Sequence, residues 1–179
     1  MEKRNNIIRI AVTGPESTGK TTLAKALADH FGTIYSPEYA REYLDKNGSD
    51  YTYADLEKIA KGQLAMENQM SEKAKKLLFA DTEMLVMKIW SEYKYGKCSP
   101  WITETIKTHR YDLYLLCNID LPWAYDPLRE NPSLEERQAI FKLYQTALEN
   151  YKFPYTIVSG TGETRINKTI QYIINKFGL

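Results

Sequence analysis

The chain has 179 residues, 43% hydrophobic and 26% charged, which suffices for one well-filled core and is short for two, so a single domain is expected over 1–179. Lys and Arg number 24 against 23 Asp and Glu, a formal net charge of +1 without any basic run, so no nucleic-acid partner is expected. The charged start Met1 to Asn6 precedes an apolar run too short for a signal peptide or membrane span, and Cys98 and Cys117 lack metal-ligand spacing, which points to a reducing, cytoplasmic setting.

Ile7 to Thr13 is a β-branched run that predicts a first strand. Gly14-Pro15-Glu16-Ser17-Thr18-Gly19-Lys20-Thr21 follows and reads G-x-x-x-x-G-K-[ST]; then Leu23, Leu27 and Phe31 recur at helical spacing. Strand, glycine loop and helix together form the setting of a phosphate-binding P-loop. Gly14 and Gly19 let the backbone curl so that N–H groups face phosphate oxygens, and the helix adds its positive end. The expected nucleotide-binding residues are Gly14, Glu16, Ser17, Thr18, Gly19, Lys20, Thr21 and Thr22, with Lys20 on the outer phosphates and the Thr21 hydroxyl on Mg²⁺.

Thr33 to Ser36 predicts a second strand, and Glu38 to Leu44 opens a helix that stops near Asn47-Gly48. Thr52 to Asp55 fits a capping box, and Leu56, Ile59, Met66, Met70, Ala74 and Leu77 predict an amphipathic helix over 53–77, with the methionines filling core. Leu77 to Ala80 is apolar and ends in Asp81-Thr82-Glu83. In a P-loop protein a strand ending this way sets a carboxylate beside Mg²⁺, whereas in isolation Asp81 would merely cap the next helix. Helices are expected over 83–93 and 101–109, a fourth strand over 111–118 and a fifth over 155–158.

Asp120 to Pro132 holds three prolines and no regular period, and Ser133 to Glu136 caps a helix with Ile140, Leu143, Tyr144, Ala147, Leu148 and Tyr151 on one side. A connection this long in a compact domain is usually functional. It reads as a lid over about 120–134, with Arg129 and Arg137 either brought to the phosphates or left as solvated surface arginines. The last helix carries Ile166, Ile170, Ile173, Ile174 and Phe177. The expected fold is therefore an α/β three-layer sandwich around a five-stranded parallel sheet that carries a P-loop.

No N-K-x-D run is present and Asp81-Thr82-Glu83 is not D-x-x-G, which sets switch GTPases aside. The P-loop, Glu38-Tyr39-Ala40-Arg41-Glu42, Asp81-Thr82-Glu83, Tyr95-Gly96-Lys97 and Trp123-Ala124-Tyr125-Asp126-Pro127-Leu128-Arg129 together resemble the ribosylnicotinamide kinase domain of NadR-type proteins over nearly the whole chain. The resemblance implies a P-loop NTPase fold like that of nucleoside and nucleotide kinases, and ATP- and Mg²⁺-dependent phosphorylation of the 5′-hydroxyl of nicotinamide riboside, a small-molecule nucleoside. The chain departs from that pattern at Tyr125-Asp126, where such lids carry two adjacent acids, and it lacks the H-x-G-H signature of the neighbouring adenylyltransferase. A separate adenylyltransferase partner is therefore expected.

On this basis Lys20, Glu38, Asp81, Arg129 and Arg137 are the expected catalytic residues, and Thr21 and Asp81 the metal ligands. Glu38 is the first choice of base and Glu83 the second, with Tyr39, Arg41, Glu83 and Trp123 on the substrate; Arg41 reads equally as a surface partner of Glu38. Tyr39, Trp90, Tyr93 and Trp123 are available as an aromatic wall for a cationic ring. The rivals are a slow ATPase used as a regulatory switch and a kinase for another nucleoside or nucleotide.

Overall fold

Along β1 (Ile8–Thr13) successive side chains point to opposite faces, with Ile8, Ile10 and Val12 on one and Arg9, Ala11 and Thr13 on the other. Ile10 and Val12 join Leu23 and Leu27 of α1 (Lys20–His30) and Ile170 and Ile173 of α7 (Gly162–Phe177), while Ala11 belongs to the opposite core. In β3 (Leu77–Asp81) and β4 (Leu113–Cys117) the alternation repeats: Leu77, Phe79, Leu113, Leu115 and Cys117 face α1 and α7, whereas Ala80, Tyr114 and Leu116 face the other layer. That second layer consists of α2 (Tyr39–Asn47), α3 (Tyr53–Lys73), α4 (Met84–Tyr95), α5 (Pro100–Thr108) and α6 (Leu134–Asn150). The structure is a computed structural model and describes residues 7–179, so the charged start lies outside the described residues.

With β2 (Ile34–Ser36) and β5 (Tyr155–Val158) the strands form one parallel sheet in the order β2-β3-β1-β4-β5. A parallel sheet covered on both faces requires strands without a polar side, and β3 and β4 are buried at every position. Val12 pairs with Asp81 and Thr13 with Leu116. β1 thus ends between β3 and β4, where the order reverses, and the segments that follow β1, β2, β3 and β4 leave the same edge of the sheet.

Three sequence expectations are corrected. α3 stops at Lys73 instead of 77, because Ala74 turns to an extended ψ of 145° and Leu77 starts β3. The buried face of α3 is Leu56, Ile59, Ala60, Gln63 and Glu67, which leaves Met66 and Met70 only half-buried. Leu143, placed on the apolar side of α6, is exposed; Ile140, Tyr144 and Leu148 carry that side. Glu67 is held by Arg9 Nη1 at 2.8 Å, by His109 Nε2 at 2.9 Å and by the Tyr111 hydroxyl. Burial pushes its carboxyl up, but these three partners outweigh that and hold it below the usual range.

Candidate functional site

The loop after β1 is fixed by its own backbone. Gly14 has φ +133°, and a Cβ there would stand 2.9 Å from the Cys117 carbonyl oxygen, so a side chain would collide with β4. Thr18 Oγ1 donates to the Pro15 carbonyl at 2.8 Å. Gly19 caps α1 in the left-handed conformation with no side-chain bond to the first turn, which also lacks an acid. The first N–H groups of α1 are thus left for a ligand, and the helix end favours an anion. Lys20 Nζ donates to the carbonyls of Gly14 at 3.0 Å and Pro15 at 2.8 Å, arched over the loop it follows.

Thr21 Oγ1 donates to Asp81 Oδ2 at 2.5 Å, while Asp81 Oδ1 is buried with no hydrogen-bond partner. Burial pushes the Asp81 carboxyl up, opposed by the Thr21 bond and by Lys20 and Arg41. An orphaned buried carboxylate oxygen beside a hydroxyl fits Mg²⁺, which takes few protein ligands and completes its shell with phosphate and water oxygens. Among the described residues no group of three or more His, Cys, Asp or Glu could hold a metal.

A cavity of about 460 Å³ opens from this loop. Glu38, Arg41, Trp90, Tyr93, Lys94, Arg129 and Tyr144 line it together with Gly14 to Thr22. Burial raises the Glu38 carboxyl; Lys20 and Arg41 pull it down, and Asp81 and Asp126 add to the rise. Glu38 is held by the backbone around it: buried Gln63 accepts the Tyr39 N–H at 2.7 Å and donates to the Pro37 carbonyl at 3.0 Å. Arg41 pairs with Asp126 at 3.0 Å and Lys94 with Glu130 at 2.6 Å, so both cations on this wall have carboxylate partners. Trp90 Nε1 donates to the Tyr51 hydroxyl at 2.8 Å, which orients the indole.

The segment between β4 and α6 is irregular but fastened to the loop. Glu16 accepts the N–H groups of Glu130 and Asn131 at 3.0 and 2.9 Å. Ser17 Oγ accepts from Ala124 N at 2.9 Å and donates to the Pro122 carbonyl at 3.3 Å. Arg129 Nη1 reaches the Ala124 carbonyl at 2.6 Å and Ser17 Oγ at 3.4 Å. Arg137 is not the solvated surface arginine that the sequence left open: it is only 3% exposed and donates from Nη2 to the carbonyls of Ser17 at 3.2 Å and Leu121 at 3.1 Å. Burial lowers its guanidinium from the ordinary value, as does Arg129, against Glu16.

The structure brings Lys20, Thr21, Glu38, Arg41 and Arg129 to one cavity, with Asp81 bonded to Thr21 and Arg137 bonded to Ser17. Tyr39, Glu83 and Trp123 do not line it. The Tyr39 ring covers Gly62 of α3, where a Cβ would fall 1.9 Å from Cε1. Glu83 is fully buried, accepts from Thr13 Oγ1 at 3.0 Å and from Leu85 N at 2.6 Å, and thereby caps α4. Burial pushes it up to about 7. Trp123 is half-buried and packs edge-on against Tyr125. Gln63 and Arg165, the latter donating from Nη2 to the Thr18 carbonyl at 2.7 Å, carry no motif; the sequence shows each only as a polar residue on an amphipathic helix.

A P-loop at the switch point of a five-stranded parallel sheet, with an arginine-bearing connection between β4 and α6 bonded to it, defines a P-loop protein with the sandwich of nucleoside and nucleotide kinases. The family described as "AAA domain" matches residues 9–165, and the chain belongs to it. It is 31% identical over 153 residues to the trifunctional NAD biosynthesis/regulator protein NadR of Salmonella typhimurium and, equally, of Escherichia coli. The match covers 83% of this chain and 37% of those proteins, so the chain spans little more than a third of their length. Among solved structures, NadR in complex with NR superposes with a TM-score of 0.78 at 23% identity, covering 97% of this chain and 52% of that one. NadR with NAD and AMP-PNP gives 0.76 at 23%, with 97% and 50% covered. Thymidylate kinase from Ehrlichia chaffeensis shares the fold at 0.65 and 13% identity, with 94% and 97% covered.

Proposed function

We propose that the chain transfers the γ-phosphoryl group of ATP to the 5′-hydroxyl of nicotinamide riboside, giving nicotinamide mononucleotide for NAD synthesis. The observation that carries this is the joint lining of one cavity by Lys20 and Glu38, a phosphate-binding loop facing a carboxylate of raised pKa. The likeness to NadR, solved with NR and with AMP-PNP, supports the choice of acceptor and donor. Trp90, Tyr93 and Tyr144 suit a cationic ring. A nucleoside monophosphate would need free cations on the acceptor side, and Arg41 and Lys94 are already paired, which favours a nucleoside.

In this mechanism Lys20 and the N–H groups of the loop and the first turn of α1 hold the β- and γ-phosphates. Thr21 and Asp81 would hold Mg²⁺, which when bound neutralises charge on those phosphates. Glu38 orients the 5′-hydroxyl and takes its proton, and Gln63 keeps the Glu38 backbone in place. Arg129 neutralises charge on the transferring group, and Arg137 acts from behind the loop through Ser17. Tyr39 and Glu83 support the site from below, through Gly62 and Thr13. The 179 residues contain no H-x-G-H run, so adenylyl transfer to the mononucleotide is not assigned to them, and a cytoplasmic setting is proposed for the kinase step.

The test is product identification: ³¹P NMR of a reaction with ATP, Mg²⁺ and nicotinamide riboside should show a new 5′-phosphomonoester. Phosphate release without an ester would favour the ATPase switch.

A further inference from the structure

Two buried arginines from different helices grip consecutive carbonyls of the phosphate-binding loop. Arg137 of α6 donates to the Ser17 carbonyl at 3.2 Å, and Arg165 of α7 donates from Nη2 to the Thr18 carbonyl at 2.7 Å. They are 3% and 5% exposed, and neither forms an ion pair with a carboxylate among the described residues. The Nε of each is buried without a hydrogen-bond partner. Arg137 also bonds the Leu121 carbonyl at 3.1 Å, and Arg165 Nη1 and Leu121 Cδ1 each lie 2.9 Å from where a Gly19 Cβ would stand.

In a trans peptide unit the C=O and the following N–H point in opposite directions. A donor fastened to the Ser17 carbonyl therefore aims the Thr18 N–H away from Arg137, and Arg165 on the Thr18 carbonyl aims the Gly19 N–H away from itself. Neither N–H has an acceptor among the described residues, and Thr18 and Gly19 both line the cavity. A buried cation with no carboxylate is costly until an anion comes near, and in low dielectric its field reaches across a single peptide unit.

We propose that Arg165 is a positioning residue for the nucleotide's phosphates: paired with Arg137, it orients the Thr18 and Gly19 amides and adds positive potential behind them without touching the ligand. Arg165 is not among the residues that the loop motif or the lid pattern singles out; on the amphipathic α7 it reads as one more polar residue beside Ile166. The proposal rests on the loop holding phosphates and is independent of the acceptor's identity.

The test is calorimetric binding of ATP, inorganic tripolyphosphate and adenosine to wild type, Arg165→Met and Arg165→Lys, with thermal midpoints as the fold control. Arg165→Met should weaken ATP and tripolyphosphate by about tenfold to a hundredfold, the scale of one charge-assisted hydrogen bond, and leave adenosine unchanged. Arg165→Lys should restore part of the loss. In turnover, KM for ATP should rise in Arg165→Met while KM for the acceptor stays put. Unchanged ATP affinity in a folded Arg165→Met, or equal weakening of adenosine, would overturn the proposal. Should the Met variant not fold, the Lys variant decides: a threefold or larger loss for tripolyphosphate supports the role, and wild-type affinity overturns it. Failure of the wild type to bind ATP would count against the kinase assignment itself, a separate result.

Discussion

Thr21 Oγ1 and Asp81 Oδ2 lie 2.5 Å apart, joining the residue after the loop lysine to the last residue of β3. The Val12 to Asp81 pairing in the sheet makes this bond possible, and it leaves Asp81 Oδ1 buried and unpartnered. Asp81→Asn replaces that charge with an amide of the same shape. The Mg²⁺ concentration for half-maximal rate at fixed ATP should rise by tenfold or more with the fold intact by circular dichroism. An unchanged Mg²⁺ dependence would remove Asp81 from the metal.

Arg129 is the lid arginine that lines the cavity. Arg129→Ala should lower kcat by about 10³ while changing ATP affinity far less, because its charge is needed when the phosphoryl group moves. Steady-state kinetics alongside equilibrium ATP binding separates the two, and an unaltered kcat would return Arg129 to a structural part in the lid.

Glu38 must be ionised to accept a proton, and its carboxyl is raised above 4.5 by burial. The rate should therefore fall as pH drops through that raised value, and the limb of the kcat/KM profile should lie above the ordinary carboxylate range. Glu38→Gln should lose most of kcat and the limb with it, while acceptor binding, measured by calorimetry, persists.

Gln63 touches neither phosphate loop nor lid, yet it clamps the backbone on both sides of Glu38. Gln63→Leu fills similar space without either bond. A fall in kcat of about tenfold with KM for ATP unchanged is expected, the size of one or two lost buried hydrogen bonds. A matched rise in KM for ATP would instead indicate general loosening.

Far from the site, Glu67→Gln should destabilise the fold by about 3 kcal/mol at neutral pH, since Arg9 loses a buried carboxylate. The folded-state pKa of Glu67 lies below its unfolded value near 4.5, so its contribution is present above that value and lost as pH falls through the folded one. The gap between wild type and variant in denaturant unfolding should accordingly narrow on acidification below about pH 4.5.

The order of strands and helices was legible because alternation and helical spacing depend on near neighbours in the chain, and the loop from Gly14 to Thr21 because its geometry admits few residue types. What sequence could not give were contacts made across long separations. Gln63 meets Pro37 and Tyr39 from another helix, Arg165 reaches Thr18 from the far end of the chain, and Glu16 takes its lid amides from Glu130 and Asn131. Periodicity misjudged α3 for a related reason: Gln63 and Glu67 hold buried positions because they have polar partners there, which turns Met66 and Met70 toward solvent. Glu83 follows Asp81 closely enough to look like a second site acid, but the α4 cap and the Thr13 hydroxyl draw it into the core.

The most direct test of the account is ADP release by purified protein with ATP and Mg²⁺, comparing nicotinamide riboside with ordinary nucleosides and with no acceptor. Release that depends on nicotinamide riboside, with kcat/KM at least tenfold above any other nucleoside, is the expected result. Equal release with every acceptor and with none would contradict it.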